Sequence, residues 1–185
     1  MIALLLILIP LMGGLVTFFV KQESQAKLWS FVVSLVTLAA MSVNLLMHDE
    51  AGRSFTAEWL PQLGSSFALQ MDGASVLLCS LTALCFPIIF GSTWKSSYTS
   101  PNSFYGLMLL AQAGITGVFL AADGLLFYFF WELALIPVYF LCSKWGGEKR
   151  IAVTFKFFIY TFIGSLLMLV GLLYMYYQTA DASFS

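Results

Sequence analysis

The stretch from Gly124 to Ser143 holds a single charged residue, Glu132, set in the run Phe127-Tyr128-Phe129-Phe130-Trp131-Glu132-Leu133-Ala134-Leu135-Ile136-Pro137. About 20 apolar residues let a helix cross the roughly 30 Å hydrocarbon core of a bilayer. A carboxylate near the centre of such a helix costs about 2.5 to 3.5 kcal/mol on insertion scales, so it is tolerated where it faces protein or water. Two readings stay open: Glu132 transfers a proton or ion, or it is a structural carboxyl hydrogen-bonded to a neighbouring helix.

Composition places the whole chain in the same environment. Of the 185 residues, 61% are hydrophobic and 9% charged, against roughly 25% charged in a soluble domain. The chain is therefore expected to be an integral membrane protein, with the lipid bilayer as its surroundings. A net charge of −1 gives no electrostatic reason for a nucleic-acid partner. Cys79, Cys85 and Cys142 lie in apolar runs without paired or His-flanked spacing, so they read as small apolar residues rather than a disulfide or metal site. There is no Ser/His/Asp set, no phosphate-cradling glycine loop and no redox-ligand spacing, so no cofactor and no metal are expected. His48 reads as a solvated residue in a polar turn. The N-terminus lacks a basic leader and stays apolar to Val20, which predicts a retained anchor rather than a removed signal peptide.

The apolar runs predict an all-α polytopic protein, a single membrane domain over 1–185 with six spans at about 2–20, 28–47, 74–94, 103–122, 125–144 and 151–177. Pro10 with Gly13 and Gly14 interrupts the first span and Pro87 kinks the third. The second span's polar interruptions, serines, threonines and Asn44, are expected to bond back to the helix or across to a neighbour. Segment 48–73 is polar and turn-rich, and the alternation Ser66-Phe67-Ala68-Leu69-Gln70-Met71 predicts a short strand or hairpin at the membrane surface. Ala113, Gly117 and Ala121 recur at every fourth residue, the spacing of close helix packing. Asp123-Gly124 leaves room only for a tight turn, so the fourth and fifth spans should be antiparallel neighbours. Lys21, Lys27, Lys95, Lys144, Lys149, Arg150 and Lys156 fall on one side of this arrangement and Arg53 on the other. The positive-inside rule makes the first side cytoplasmic and puts segment 48–73 and both termini outside.

At about 1.5 Å per residue Glu132 lies roughly 18 Å from Lys144, near the midplane. Pro137 has no N–H to give the Leu133 carbonyl and bends the helix beside the acid. Asp123 reads as a helix cap, with a place at a proton exit as the alternative. Lys156 either snorkels to the interface or takes part in proton transfer, although its depth, roughly 12 Å from that of Glu132, rules out a direct pair. Thr154, Thr161 and Ser165 form a polar stripe beside that of Lys156, Tyr160 and Gly164, expected to face other helices.

Several runs carry a resemblance: Ala122-Asp123-Gly124-Leu125-Leu126 through Trp131-Glu132-Leu133, Pro137 and Tyr139; Lys144-Trp145-Gly146; Lys156 to Thr161 with Gly164-Ser165; and Glu58-Trp59-Leu60-Pro61 with Met71-Asp72-Gly73. The chain resembles the antiporter-like membrane subunits of respiratory complex I, specifically subunit M, also called chain 4, over nearly its whole length. The resemblance implies a proton-translocating subunit of NADH:quinone oxidoreductase, without a redox site of its own, in which Glu132 matches the fifth-helix glutamate held to carry protons. Its implied partners are the other membrane subunits and protons, with quinone reached only through the assembled complex, in a bacterial inner membrane rather than a mitochondrial one. The family has about fourteen helices and pairs that glutamate with a lysine on the seventh. This chain ends at Ser185 after six, so a fragment, a split gene or a truncated product is expected. Alternatives are a subunit of a multisubunit cation/proton antiporter or membrane-bound hydrogenase, and a non-transporting structural or assembly fragment.

Overall fold

The computed structural model describes residues 2–47, 53–178 and 184. It contains six α-helices and one hairpin: α1 (Ile2–Thr17), α2 (Glu23–Met47), β1 (Ser54–Leu60), β2 (Ser65–Gln70), α3 (Gly73–Ser92), α4 (Pro101–Leu120), α5 (Gly124–Trp145) and α6 (Arg150–Gln178). His48, Asp49, Glu50 and Asp181 lie outside the described residues. Five helices, α2 to α6, are long and apolar enough to cross a membrane; α1 falls short of that length. The first run was expected to continue to residue 20. The helix instead closes at Thr17, where Thr17 Oγ1 donates to the Gly13 carbonyl at 2.7 Å and Trp29 Nε1 of α2 donates to the same carbonyl at 3.1 Å. With its last-turn acceptor occupied by side chains, the chain tightens into a turn, Phe19 N–H to Val16 O at 3.0 Å.

The helices alternate in direction, and cross-links confirm which ends lie together. Lys27 donates to the Trp94 and Ser96 carbonyls at 3.2 and 2.8 Å while pairing with Glu23 at 2.8 Å. Trp145 Nε1 donates to Thr99 O at 2.9 Å. The loops carrying Lys21, Lys95 and Lys149 therefore share one end of the bundle, as the lysine distribution predicts. At the opposite end sits the hairpin, antiparallel, pairing Ser54 with Gln70 through Leu60 with Ser65, with an irregularity between Glu58 and Leu60. Asp72 starts α3 as its cap: the Ser75 hydroxyl donates to it at 2.6 Å and the Ser75 N–H at 2.7 Å. The hydroxyl bond first, then the backbone one, holds the Asp72 carboxyl below its ordinary value of 3.8.

Helix α4 is the centre of the molecule, packed against α1, α2, α3 and α5, while α6 leans on α5. Close approach depends on glycine. A Cβ at Gly14 would lie 3.0 Å from the Gly106 carbonyl, and one at Gly106 would lie 3.2 Å from Gly14 O, so Gly14 serves as the α1–α4 contact rather than as a break in the helix. Toward α5 the paired glycines are Gly114, against Ala134, and Gly117, against Phe130. Of the polar residues of α2, Ser34 and Thr37 bond back to Phe31 O and Val33 O at 2.7 and 3.0 Å as expected, whereas Ser30 Oγ and Asn44 Oδ1, like both amide atoms of Gln112 on α4, are buried without a hydrogen-bond partner among the described residues. Cys79 is buried, Cys85 half-buried and Cys142 exposed.

A Cβ at Gly114 would come 2.8 Å from Ala134 Cα, an atom of the backbone. Gly114→Ala is therefore expected to push α4 and α5 apart and cost about 1 to 3 kcal/mol, read as a lowered thermal midpoint in detergent. A wild-type midpoint would mean the two helices do not meet there.

Candidate functional site

Helix α5 is fixed at its hairpin end by one carboxylate. Asp123 is 1% exposed. Its Oδ1 accepts from the backbone N–H groups of Leu125 at 2.9 Å and Leu126 at 3.0 Å, and from Ser65 Oγ at 2.9 Å. Its Oδ2 accepts from Ser66 N–H at 3.1 Å. The cap expected from the sequence is there, and the same side chain also ties the hairpin to α5. Around it the hairpin docks by Ala122 N–H to Ala68 O at 2.9 Å and by ring contacts, Phe67 on Phe130 at 6.2 Å and Trp59 on Phe129 at 5.6 Å.

Below this anchor, Tyr128, Glu132, Leu135 and Tyr139 recur at i, i+4, i+7 and i+11, one stripe of α5. The facing stripe of α6 is Thr154, Phe158, Thr161 and Ser165; Thr154 and Ser165 are the buried residues of that helix. Two contacts set the register of this antiparallel seam. Toward the lysine end the Tyr139 and Phe158 rings meet at 5.0 Å; toward the hairpin end Gly124 packs against Leu172, where a Cβ would come 3.2 Å from Leu172 Cδ2. Glu132 lies between these contacts, on the same stripe as Tyr139. It is half-buried, and its Oε1 is buried without a hydrogen-bond partner among the described residues. An open groove of about 260 Å³ lies between α4, α5 and α6, lined by Phe119, Trp131, Leu135, Phe157 and Thr161 among others, with Glu132 outside its lining. Pro137 is buried one turn further along, in a helix that continues to Trp145.

The candidates do not all converge. Lys156 is exposed and stands about 200° around α6 from Thr154, facing away from the seam. Asp123 and Glu132 occupy the same helix at different levels, the first engaged on both oxygens, the second with an oxygen unengaged. Ser65 and Ser66 were not singled out in the sequence. The serines lie 58 and 57 residues from Asp123, beyond any periodic signal.

Residues 121–185, which hold Asp123, Glu132 and Lys156, match the family model described as NADH:quinone oxidoreductase/Mrp antiporter, TM. The chain is 41% identical over 184 residues to F(420)H(2) dehydrogenase subunit M of Methanosarcina mazei, covering 97% of this chain and 37% of the relative. It is 34% identical over 185 residues to NADH-quinone oxidoreductase subunit M of Escherichia coli, covering 91% and 36%. Its fold superposes on a chain of respiratory complex I from Thermus thermophilus with a TM-score of 0.85 and 28% identity, over 100% of this chain and 38% of that one. Residues 121–185 carry the match to that family, and the chain as a whole is similar to antiporter-like membrane subunits. It spans a little over a third of the length of the relatives it matches. Among antiporter-like chains, then, the α5–α6 seam with Glu132 and the Asp123 anchor falls within the stretch that defines the family model.

Asp123→Ala removes a cap worth about 1 kcal/mol and leaves the buried Ser65 hydroxyl without its acceptor, a further cost of about 1 to 3 kcal/mol. The expected result is faster protease cleavage in 54–70 and a lower thermal midpoint, with Asp123→Asn, which keeps one acceptor oxygen, in between. Cleavage at the wild-type rate in Asp123→Ala would show that the carboxylate does not hold the hairpin.

Proposed function

We propose that the chain is a proton-translocating membrane subunit of an oxidoreductase complex of the NADH:quinone type, and that Glu132 is the group that takes up and releases the proton. The observation that carries this reading is the placement of Glu132: an acid on the seam between two apolar helices, with a buried oxygen that no donor among the described residues engages. A purely structural carboxyl at this depth would be expected to have its hydrogen bonds filled, since a buried polar group left unpaired costs free energy. An oxygen kept available can bind water or an incoming proton. The neutral carboxyl suits the apolar seam; the ionised form is favoured when a positive charge approaches. Lys156 faces away, so that charge reaches Glu132 from outside the α5–α6 pair, across the largely exposed face of α6. Similarity to antiporter-like subunits supports the reading, with subunit M of the E. coli NADH-quinone oxidoreductase among the relatives.

In this reading α1 counts as a sixth crossing, since it joins the hairpin end of the bundle to the lysine end. The partners are other membrane subunits, lipid and protons; quinone is met only through the assembled complex, in the plasma membrane of a prokaryote. Asp123 anchors the outer end of the transporting helix.

Glu132→Gln keeps size and hydrogen-bonding capacity but cannot carry a proton. In the assembled complex it should cut proton transport by about a hundredfold or more, the lower range for loss of a proton-transferring group, with assembly unchanged. Full transport in that variant would leave Glu132 a structural residue.

A further inference from the structure

Gln112, on the central helix α4, is 0% exposed, and both its amide nitrogen and its amide oxygen are without a hydrogen-bond partner among the described residues. A primary amide gives two hydrogen bonds and accepts two, and burying it unpaired among apolar groups is costly. Gln112 stands two residues before Gly114, about 200° around α4 from the side that Ala134 of α5 fills. It shares its stripe with Tyr105, Leu109 and Thr116. Its side chain therefore belongs to the interior formed with α1, α2 and α3, away from the seam of Glu132.

Three contacts fix what reaches its level, since neighbouring helices run antiparallel. A Cβ at Gly14 would come 3.2 Å from Leu109 Cβ, so one turn on, Pro10 of α1 stands level with Gln112 and Ala113. A Cβ at Gly13 would come 2.6 Å from Val33 Cγ1, so one turn on, Thr37 of α2 stands beside Ile9 and Pro10. The Phe90 and Tyr105 rings meet at 5.9 Å, and two turns on, Thr82 and Ala83 of α3 arrive at the same height. Each helix brings an acceptor there. Pro10 has no N–H, so the Leu6 carbonyl lacks its helical donor. Thr37 and Thr82 are buried and give their own protons to the Val33 and Leu78 carbonyls at 3.0 and 2.9 Å, which leaves their oxygens able to accept.

We propose that the bundle of α1 to α4 binds an ordered water molecule at Gln112, held by the amide and by the acceptors that the Leu6 carbonyl, Thr37 and Thr82 bring to its level. A buried water makes about three hydrogen bonds to polar groups otherwise unsatisfied. Here it accepts from the Gln112 N–H and donates to the Leu6 carbonyl and to a threonine oxygen, a set of partners that no single side chain at this level supplies. Toward α5 the central helix is held by direct glycine packing; at Gln112 it is held through water.

A cryo-EM map of the purified complex, fine enough to show ordered water, is expected to carry a peak within hydrogen-bonding distance of the Gln112 amide. The peak is expected to be missing in Gln112→Met, which keeps the length of the side chain and removes its polar atoms. The thermal midpoint in detergent is expected to fall by about 2 to 4 °C in that variant, the size of one lost hydrogen bond in a chain of this length. A wild-type map with no peak, the amide bonded directly to the Leu6 carbonyl or to a threonine, overturns the proposal. So does a Gln112→Met midpoint equal to or above that of the wild type, the result for an amide buried dry. Should Gln112→Met fail to fold, the wild-type map decides alone.

Discussion

A polar group placed in hydrocarbon has no water to fall back on, and the bond from Asp123 to the first turn of α5 is where this chain meets that constraint most completely. One buried carboxylate satisfies two of the orphan N–H groups that every helix start presents, Leu125 and Leu126, and two donors from the hairpin, Ser65 and Ser66. It does so where the N-terminal end of the helix dipole favours negative charge. The first turn of α5 is thereby fixed to the hairpin, and the edge-to-face ring contacts of Phe67 with Phe130 and Trp59 extend the same joint. From that point the distance of Glu132 along α5 follows from helical geometry.

Packing then decides which way Glu132 looks. Gly114 and Gly117 let α4 come close on one side of α5, with Ala134 and Phe130 filling the space a side chain would take. The stripe carrying Tyr128, Glu132 and Tyr139 lies against α6. That helix offers hydroxyls at Thr154, Thr161 and Ser165 and sends its charge, Lys156, the other way. The two acids of α5 are therefore distinct in kind. Asp123 is saturated with donors, while Glu132 keeps a buried oxygen without a partner among the described residues.

Much of this was written locally. Apolar run lengths marked the helices, the alternation from Ser66 to Met71 marked β2, and Asp123-Gly124 marked a cap before a tight turn, because each is a periodic or nearest-neighbour signal. The shortfalls were all long-range. The end of α1 depends on Trp29 reaching back to the Gly13 carbonyl, and the second task of Asp123 depends on serines far away in sequence. The spacing of Ala113, Gly117 and Ala121 announced a packing helix, yet the residues meeting α5 are Gly114 and Gly117, since which side of a small-residue stripe is used is settled by the neighbour. The register of the α5–α6 seam, with Tyr139 against Phe158 and Gly124 against Leu172 on either side of Glu132, could not be read from one helix at a time.

The account stands or falls on whether Glu132 changes protonation while the assembled complex works. Infrared difference spectra recorded between resting and turning-over complex, with glutamate carboxyls isotopically labelled, address this directly. The account predicts a carboxyl C=O band that appears and disappears with turnover, shifts with the label and is missing in Glu132→Gln. A Glu132 band that keeps the same intensity at rest and during turnover would contradict it.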